Sequence, residues 1–143
     1  MALAHAFRCG SPVLFVGASS LTDSTFKEAS WDWVQETSTA TTTWGDISVW
    51  DVSGVKDFSR AFSKDRNQEG EYARDGNPKA ATFVGTGMSK WITGSVTSLE
   101  LMFYGAQSMN ADLSKWDVQK VETMEDTFND CIAFTGEGLD LNR

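Results

Sequence analysis

The residues best placed to do chemistry sit in a polar stretch near the middle of the chain. Asp65-Arg66-Asn67-Gln68-Glu69-Gly70 puts oxygen-bearing side chains at alternate positions ahead of a glycine, as a calcium-binding loop begins. Such a loop closes on a bidentate glutamate at its twelfth position; here that position is Gly76, and helical flanks are not evident. Asp65, Asn67 and Glu69 are thus weak candidate metal ligands, and a solvated loop is the default reading. Catalytic constellations are harder to assemble. The sole histidine, His5, lies in a ragged N-terminus, which disfavours a Ser-His-Asp or Cys-His site. A His5–Cys9 metal pair lacks its remaining ligands. Gly85-Thr86-Gly87-Met88-Ser89-Lys90 is glycine-rich but fits neither nucleotide-loop template. The sequence therefore predicts no catalytic residue, no enzyme activity, no cofactor and no metal.

Tryptophan is the other informative residue. Trp50, Trp91 and Trp116 share one position of a repeat, so they read as a buried ladder rather than a stripe that grips a sugar. Trp31, Trp33 and Trp44 lie outside the pattern and are the candidates for an exposed aromatic binding patch.

The elements that must hold these residues follow from the repeat. Val96 and Val121 are 25 residues apart and open equivalent units. Tryptophan precedes valine by five in Trp50–Val55, Trp91–Val96 and Trp116–Val121. Valine precedes phenylalanine by seven in Val55–Phe62, Val96–Phe103 and Val121–Phe128. A small residue follows three later at Ala106 and Cys131, and Phe26–Ala29 shows the same spacing in an earlier, degenerate unit. Val96, Leu99, Met102, Phe103 and Ala106 follow helical spacing, behind a capping-box sequence at Thr97-Ser98-Leu99-Glu100. Ser114, Trp116 and Val118 alternate with Lys115 and Asp117, which predicts a short strand. One such unit cannot bury its apolar face alone, so the units are expected to stack. The expected fold is an α/β solenoid of roughly 25-residue strand-plus-helix units, with residues 1–42 as an irregular N-terminal cap and 43–143 as the repeats. An inserted loop, 64–82, lengthens one unit; its polarity predicts an outward bulge that folding can do without.

The phrase Asp46-Ile47-Ser48-Val49-Trp50-Asp51-Val52, echoed as Asp112-Leu113-Ser114-Lys115-Trp116-Asp117-Val118, and the following Met102-Phe103…Ala106 resemble the BspA-like leucine-rich-repeat family. The nearest branch is the one first noted in mycoplasma lipoproteins and bacterial surface proteins, also found in algae. The resemblance covers about residues 43–141 and is best at 45–62 and 96–134. It implies a leucine-rich-repeat-like stack and a surface or interaction role, with no catalytic residues to carry over. It favours a cell-surface or secreted location, with an organelle of an alga as the alternative.

Composition narrows the partners. Twelve Lys and Arg against twenty Asp and Glu give a net charge of −8, which repels phosphate backbones and anionic membrane surfaces, so nucleic acid is not an expected partner. No apolar run reaches the roughly 20 residues that a membrane span needs. The expected function is a non-catalytic protein-interaction module with a protein partner; the alternative is a structural or accessory subunit of a larger assembly. A third class, a surface that binds ice, is suggested by Thr37, Thr39, Thr41 and Thr43 on alternate residues, but that ladder occurs only once. Cys9 and Cys131 are expected not to bond to one another, since stacked repeats would separate them.

Overall fold

The computed structural model describes residues 20–136. Expectations placed on His5, Cys9 and the closing Leu139-Asp140-Leu141 lie outside these residues, so the Cys9–Cys131 relation is not addressed.

The N-terminal third is helical. Helix α1, Asp23–Gln35, starts at Thr22 with a reciprocal cap: the Thr22 hydroxyl accepts from the Thr25 amide at 3.2 Å, and the Thr25 hydroxyl accepts from the Thr22 amide at 2.7 Å. It buries Phe26, Ala29 and Ser30. Helix α2, Thr37–Trp44, follows at once and buries Ala40 and Trp44. Its threonines turn inward on their own helix: Thr37, Thr41 and Thr42 donate to the carbonyls of Trp33, Thr37 and Ser38. The alternating threonine ladder needed an extended chain; wound into a helix, Thr37, Thr39, Thr41 and Thr43 share no flat face.

The α/β solenoid of strand-plus-helix units does not form. Among the described residues there is no β-strand and no sheet, and both α-helices precede the repeats. Parallel pairing is confined to isolated bridges at Ser20–Asp51, Asp57–Ser98 and Ser98–Thr123. The leucine-rich-repeat description of the units therefore falls as well. Hydrogen bonding explains why. In the segment that reads as a helix, alternate amides bond locally: Met102, Tyr104 and Ala106 donate to Leu99, Leu101 and Phe103, three residues back. The amides between them point sideways, and Leu99, Leu101, Phe103 and Gly105 donate to Thr123, Glu125, Thr127 and Asn129 at 2.9–3.1 Å. Phe58, Arg60, Phe62 and Lys64 donate in the same way to Ser98, Glu100, Met102 and Tyr104. A helix would send every amide back four residues. This ribbon of turns shares its amides between itself and its neighbour, and it flips to positive φ at Arg60, Leu101 and Asp126, one equivalent residue in each unit. The tryptophan half is also turn-built: Trp50, Trp91 and Trp116 donate to Ile47, Met88 and Leu113, and Val55, Val96 and Val121 to Val52, Thr93 and Val118.

What the units share is a core. Trp50, Trp91 and Trp116 stack at 6.0 Å and 6.0 Å, all buried, so the ladder reading of this position holds. Each of the later two indoles donates to the preceding unit's backbone, Trp91 to the Ile47 carbonyl and Trp116 to the Met88 carbonyl. Phe62, Phe103 and Phe128 make a second column at 6.0 and 5.9 Å. The aspartates of the repeated phrase fold its turns: Asp46 and Asp112 accept the amides of Ser48 and Ser114, and Asp51 and Asp117 accept those of Ser53 and Gln119. The Ser48 hydroxyl and amide hold the Asp46 carboxyl below its usual range.

The inserted segment is not a solvated bulge. Arg66 and Asn77 are fully buried, as is Ala80, and Phe83 just beyond stacks on Phe62 at 4.2 Å. Gly76, where a calcium loop needs glutamate, fits because a Cβ there would lie 2.6 Å from the Arg66 carbonyl.

Candidate interaction surface

Helix α1 turns one stripe inward and leaves Ser24, Lys27, Glu28, Trp31 and Gln35 on its outer side. These spacings are the i, i+3, i+4, i+7 of a single helical face. Glu36, Thr39 and Ala40 close one end, and Gln68 and Glu69 of the inserted segment supply the opposite wall. The result is an open groove of about 580 Å³.

Arg66 fixes the two walls to each other. Its guanidinium donates to the carbonyls of Lys27 and Gln68 at 3.0 and 3.1 Å, to Ala61 at 2.8 Å and Asn67 at 2.9 Å, and to the Ser30 hydroxyl at 3.0 Å. It also lies 5.5 Å from the Trp31 ring centre, a cation–π contact. Burial pulls its pKa down to about 10, while the charges of Asp32 and Glu69 hold it up, so it remains a cation near neutral pH. Gly70 lets the segment close over α1: its φ is +86°, and a Cβ there would meet the Lys27 side chain at 2.9 Å.

The groove is acidic. Glu28, Asp32, Glu36 and Glu69 line it against one cation, Lys27, which pairs with Asp57 at 3.3 Å. Burial alone would raise the Asp57 pKa; the Ser59 and Lys27 contacts outweigh it and leave the carboxyl below its usual range. Trp31, partly exposed, is the apolar element of the surface.

The three candidate tryptophans do not form one patch. Trp31 lines the groove. Trp33 packs edge-on against Trp50 at 5.7 Å and borders a smaller cleft of about 240 Å³. Trp44 is buried, its indole N–H donating to Asp32 at 2.9 Å. Nor do the candidate metal ligands converge. Asp65 accepts the Asp75 amide and Asn67 the Glu71 amide, each at 2.9 Å, so these oxygens shape the segment, and Glu69 faces the groove. Among the described residues no cluster of three or more His, Cys, Asp or Glu is arranged to hold a metal ion. Arg66 is the residue that sequence reasoning passed over; its available cue was the pair of glycines, Gly70 and Gly76, that bracket the closure around it. No helix of the described residues is long and apolar enough to cross a membrane.

A family model described as a mycoplasma protein of unknown function, DUF285, matches residues 24–71 and 75–142. The match takes in nearly all of α1, which the sequence resemblance had left outside, and its break at 72–74 falls in the inserted segment. No curated protein and no solved structure matches.

Proposed function

The chain belongs to this mycoplasma family of unknown function, DUF285, and we propose that it is a non-catalytic protein-interaction module whose groove along α1 receives a segment of a protein partner. The observation that carries this reading is the half-exposed Trp31 set among Glu28, Asp32, Glu36 and Glu69. An aromatic anchor within a polar rim is the arrangement that recurs at protein interfaces. The acidic rim favours a partner segment carrying Lys or Arg, as does the overall charge of −8. Kinship with the BspA-like surface proteins is part of the same proposal and rests on the repeated Asp-Ile/Leu-Ser-x-Trp-Asp-Val phrase.

The test is comparative capture from the source cell's extract. Immobilised wild type should retain a partner that Trp31→Ala and Glu69→Lys lose, while Lys115→Ala, at the exposed face of another unit, keeps it. Retention of the same proteins by all four would remove the groove from any binding role.

A further inference from the structure

At the start of the ribbon the Thr97 and Glu122 amides donate back to the Lys56 and Thr97 carbonyls, but the alternate amides that follow all donate forward, so the stack has unlike edges. In the first two units every amide at four alternate positions donates to the next unit. The equivalent amides of the third unit, Met124, Asp126, Phe128 and Asp130, meet no acceptor among the described residues. They stand in the register that the earlier rungs use, with the same positive φ at Asp126. Beside them Met124 and Phe128 are only partly covered, although they pack on the core. A row of open backbone donors flanked by apolar side chains templates the addition of another chain.

Charge along one column says what that chain carries. Three equivalent positions read Lys56, Arg60 and Lys64 in the first unit, Thr97, Leu101 and Gly105 in the second, and Glu122, Asp126 and Asp130 in the third. Equivalent positions are spatial neighbours: the Lys64 side chain lies directly over Gly105. Basic residues of the column do reach acids of the next unit: Arg60 lies 3.9 Å from Glu100, the residue beside its column neighbour Leu101. A chain at the next position along the stack would meet three exposed acidic residues, Glu122, Asp126 and Asp130, the last two also accepting from Asn129 and from Gln107 of the second unit.

We propose that this edge is a docking site for a basic chain segment of a protein partner. The segment presents backbone carbonyls at alternate residues to Met124, Asp126, Phe128 and Asp130, and Lys or Arg side chains to Glu122, Asp126 and Asp130. A second copy of this chain is a poor occupant. On the opposite edge the Ala61 and Ser63 carbonyls are already held by Arg66 and Asn77, and α1 lies over that side. The proposal is independent of the groove on α1.

The chain's own first unit supplies the probe. A synthetic peptide of residues 55–64 carries Lys56, Arg60 and Lys64 at the required spacing and places the Asp57, Ser59, Ala61 and Ser63 carbonyls in register. Added to the full-length, isotope-labelled protein, it should shift the amide resonances of Met124, Asp126, Phe128 and Asp130. A peptide with glutamate at its three basic positions should not. Asp126→Arg, which copies the first unit's residue at a backbone already tolerant of arginine, should abolish the shifts with circular dichroism unchanged. Equal shifts from both peptides, or shifts elsewhere only, would overturn the proposal. So would binding that appears only after residues 137–143 are deleted, which would make the chain's own tail the occupant. Concentration-dependent self-association through these amides would overturn it in favour of a second copy.

Discussion

The two edges of the stack are the same ribbon of turns seen from opposite sides, and they end differently. On the first edge, non-repeating residues complete what the repeat leaves open. Asp23 at the start of α1 accepts the Lys56 and Asp57 amides at 2.8 and 3.3 Å, Arg66 covers the Ala61 carbonyl, and Asn77 covers that of Ser63. On the last edge, four amides in the same register meet nothing among the described residues. A repeat makes its own internal interfaces because each unit offers what the next accepts, but it cannot finish itself. Finishing takes residues from outside the period. Here they come from α1 and from the inserted segment, which also build the groove.

The sharpest test of this asymmetry compares one column position inside the stack and at its end. Phe103 is fully buried between Phe62 and Phe128. Phe103→Ala should cost about 3–5 kcal/mol by denaturant titration. Phe128 stacks on Phe103 and Phe134 but stays partly exposed, so Phe128→Ala should cost about 1–2 kcal/mol, in proportion to the smaller area it removes from water. Equal losses would mean that the last unit is as well covered as the second.

The capped edge has its own test. Arg66→Met keeps an unbranched apolar stem and removes every donor, leaving the buried Ala61 carbonyl unsatisfied and breaking the tie to the Lys27 carbonyl of α1. The expected loss is about 2–4 kcal/mol, with weakened packing of α1 visible as faster hydrogen exchange at Phe26 and Ser30. Replacing the segment between Lys64 and Ala81 by a short turn removes Arg66 and Asn77 together and should be at least as damaging. A variant melting like wild type would restore the view of this segment as a solvated bulge.

That view came from composition, and its failure shows where sequence stops informing. The register was legible because Trp50–Val55–Phe62, Trp91–Val96–Phe103 and Trp116–Val121–Phe128 keep fixed intervals, and core positions such as Leu99, Met102 and Ala106 could be read from them. The backbone was not legible. Apolar residues at three- and four-residue spacing face one way in a helix, and they also do so in a ribbon of three-residue turns. The difference lies in whether the Leu99 and Phe103 amides turn back or sideways, and that depends on the neighbouring unit. Arg66 was hidden for a related reason: a guanidinium is rarely buried, so its position among Asp, Asn, Gln and Glu argued for solvent. The aromatic patch was half legible. Departure from the period marked Trp31, Trp33 and Trp44 as unusual but could not say that Trp44 turns inward to Asp32.

The smallest expected effect is at Cys131, which sits at the boundary between the covered and the open unit. It takes the place of Ala106, is nearly buried, and its thiol donates to the Phe103 carbonyl of the preceding unit at 3.0 Å. Burial pushes the thiol up from 9.0 to about 11. The protonated form is therefore the one the fold favours. As pH rises past the unfolded value the unfolded chain releases this proton first, so the thiol's contribution to stability falls between about pH 9 and 11 and is intact below. The loss should reach about 1 kcal/mol near pH 10, read as the difference between wild type and Cys131→Ala so that lysine and tyrosine titrations cancel. The same protonation should keep iodoacetamide slow at pH 8 in the native protein and fast once it is unfolded. Rapid native alkylation would mean that the third unit opens readily from the second. The stacking of Phe128 on Phe103 would then be too weak to hold that end closed, and the contrast between the two ends would be one of local stability as well as of hydrogen bonding.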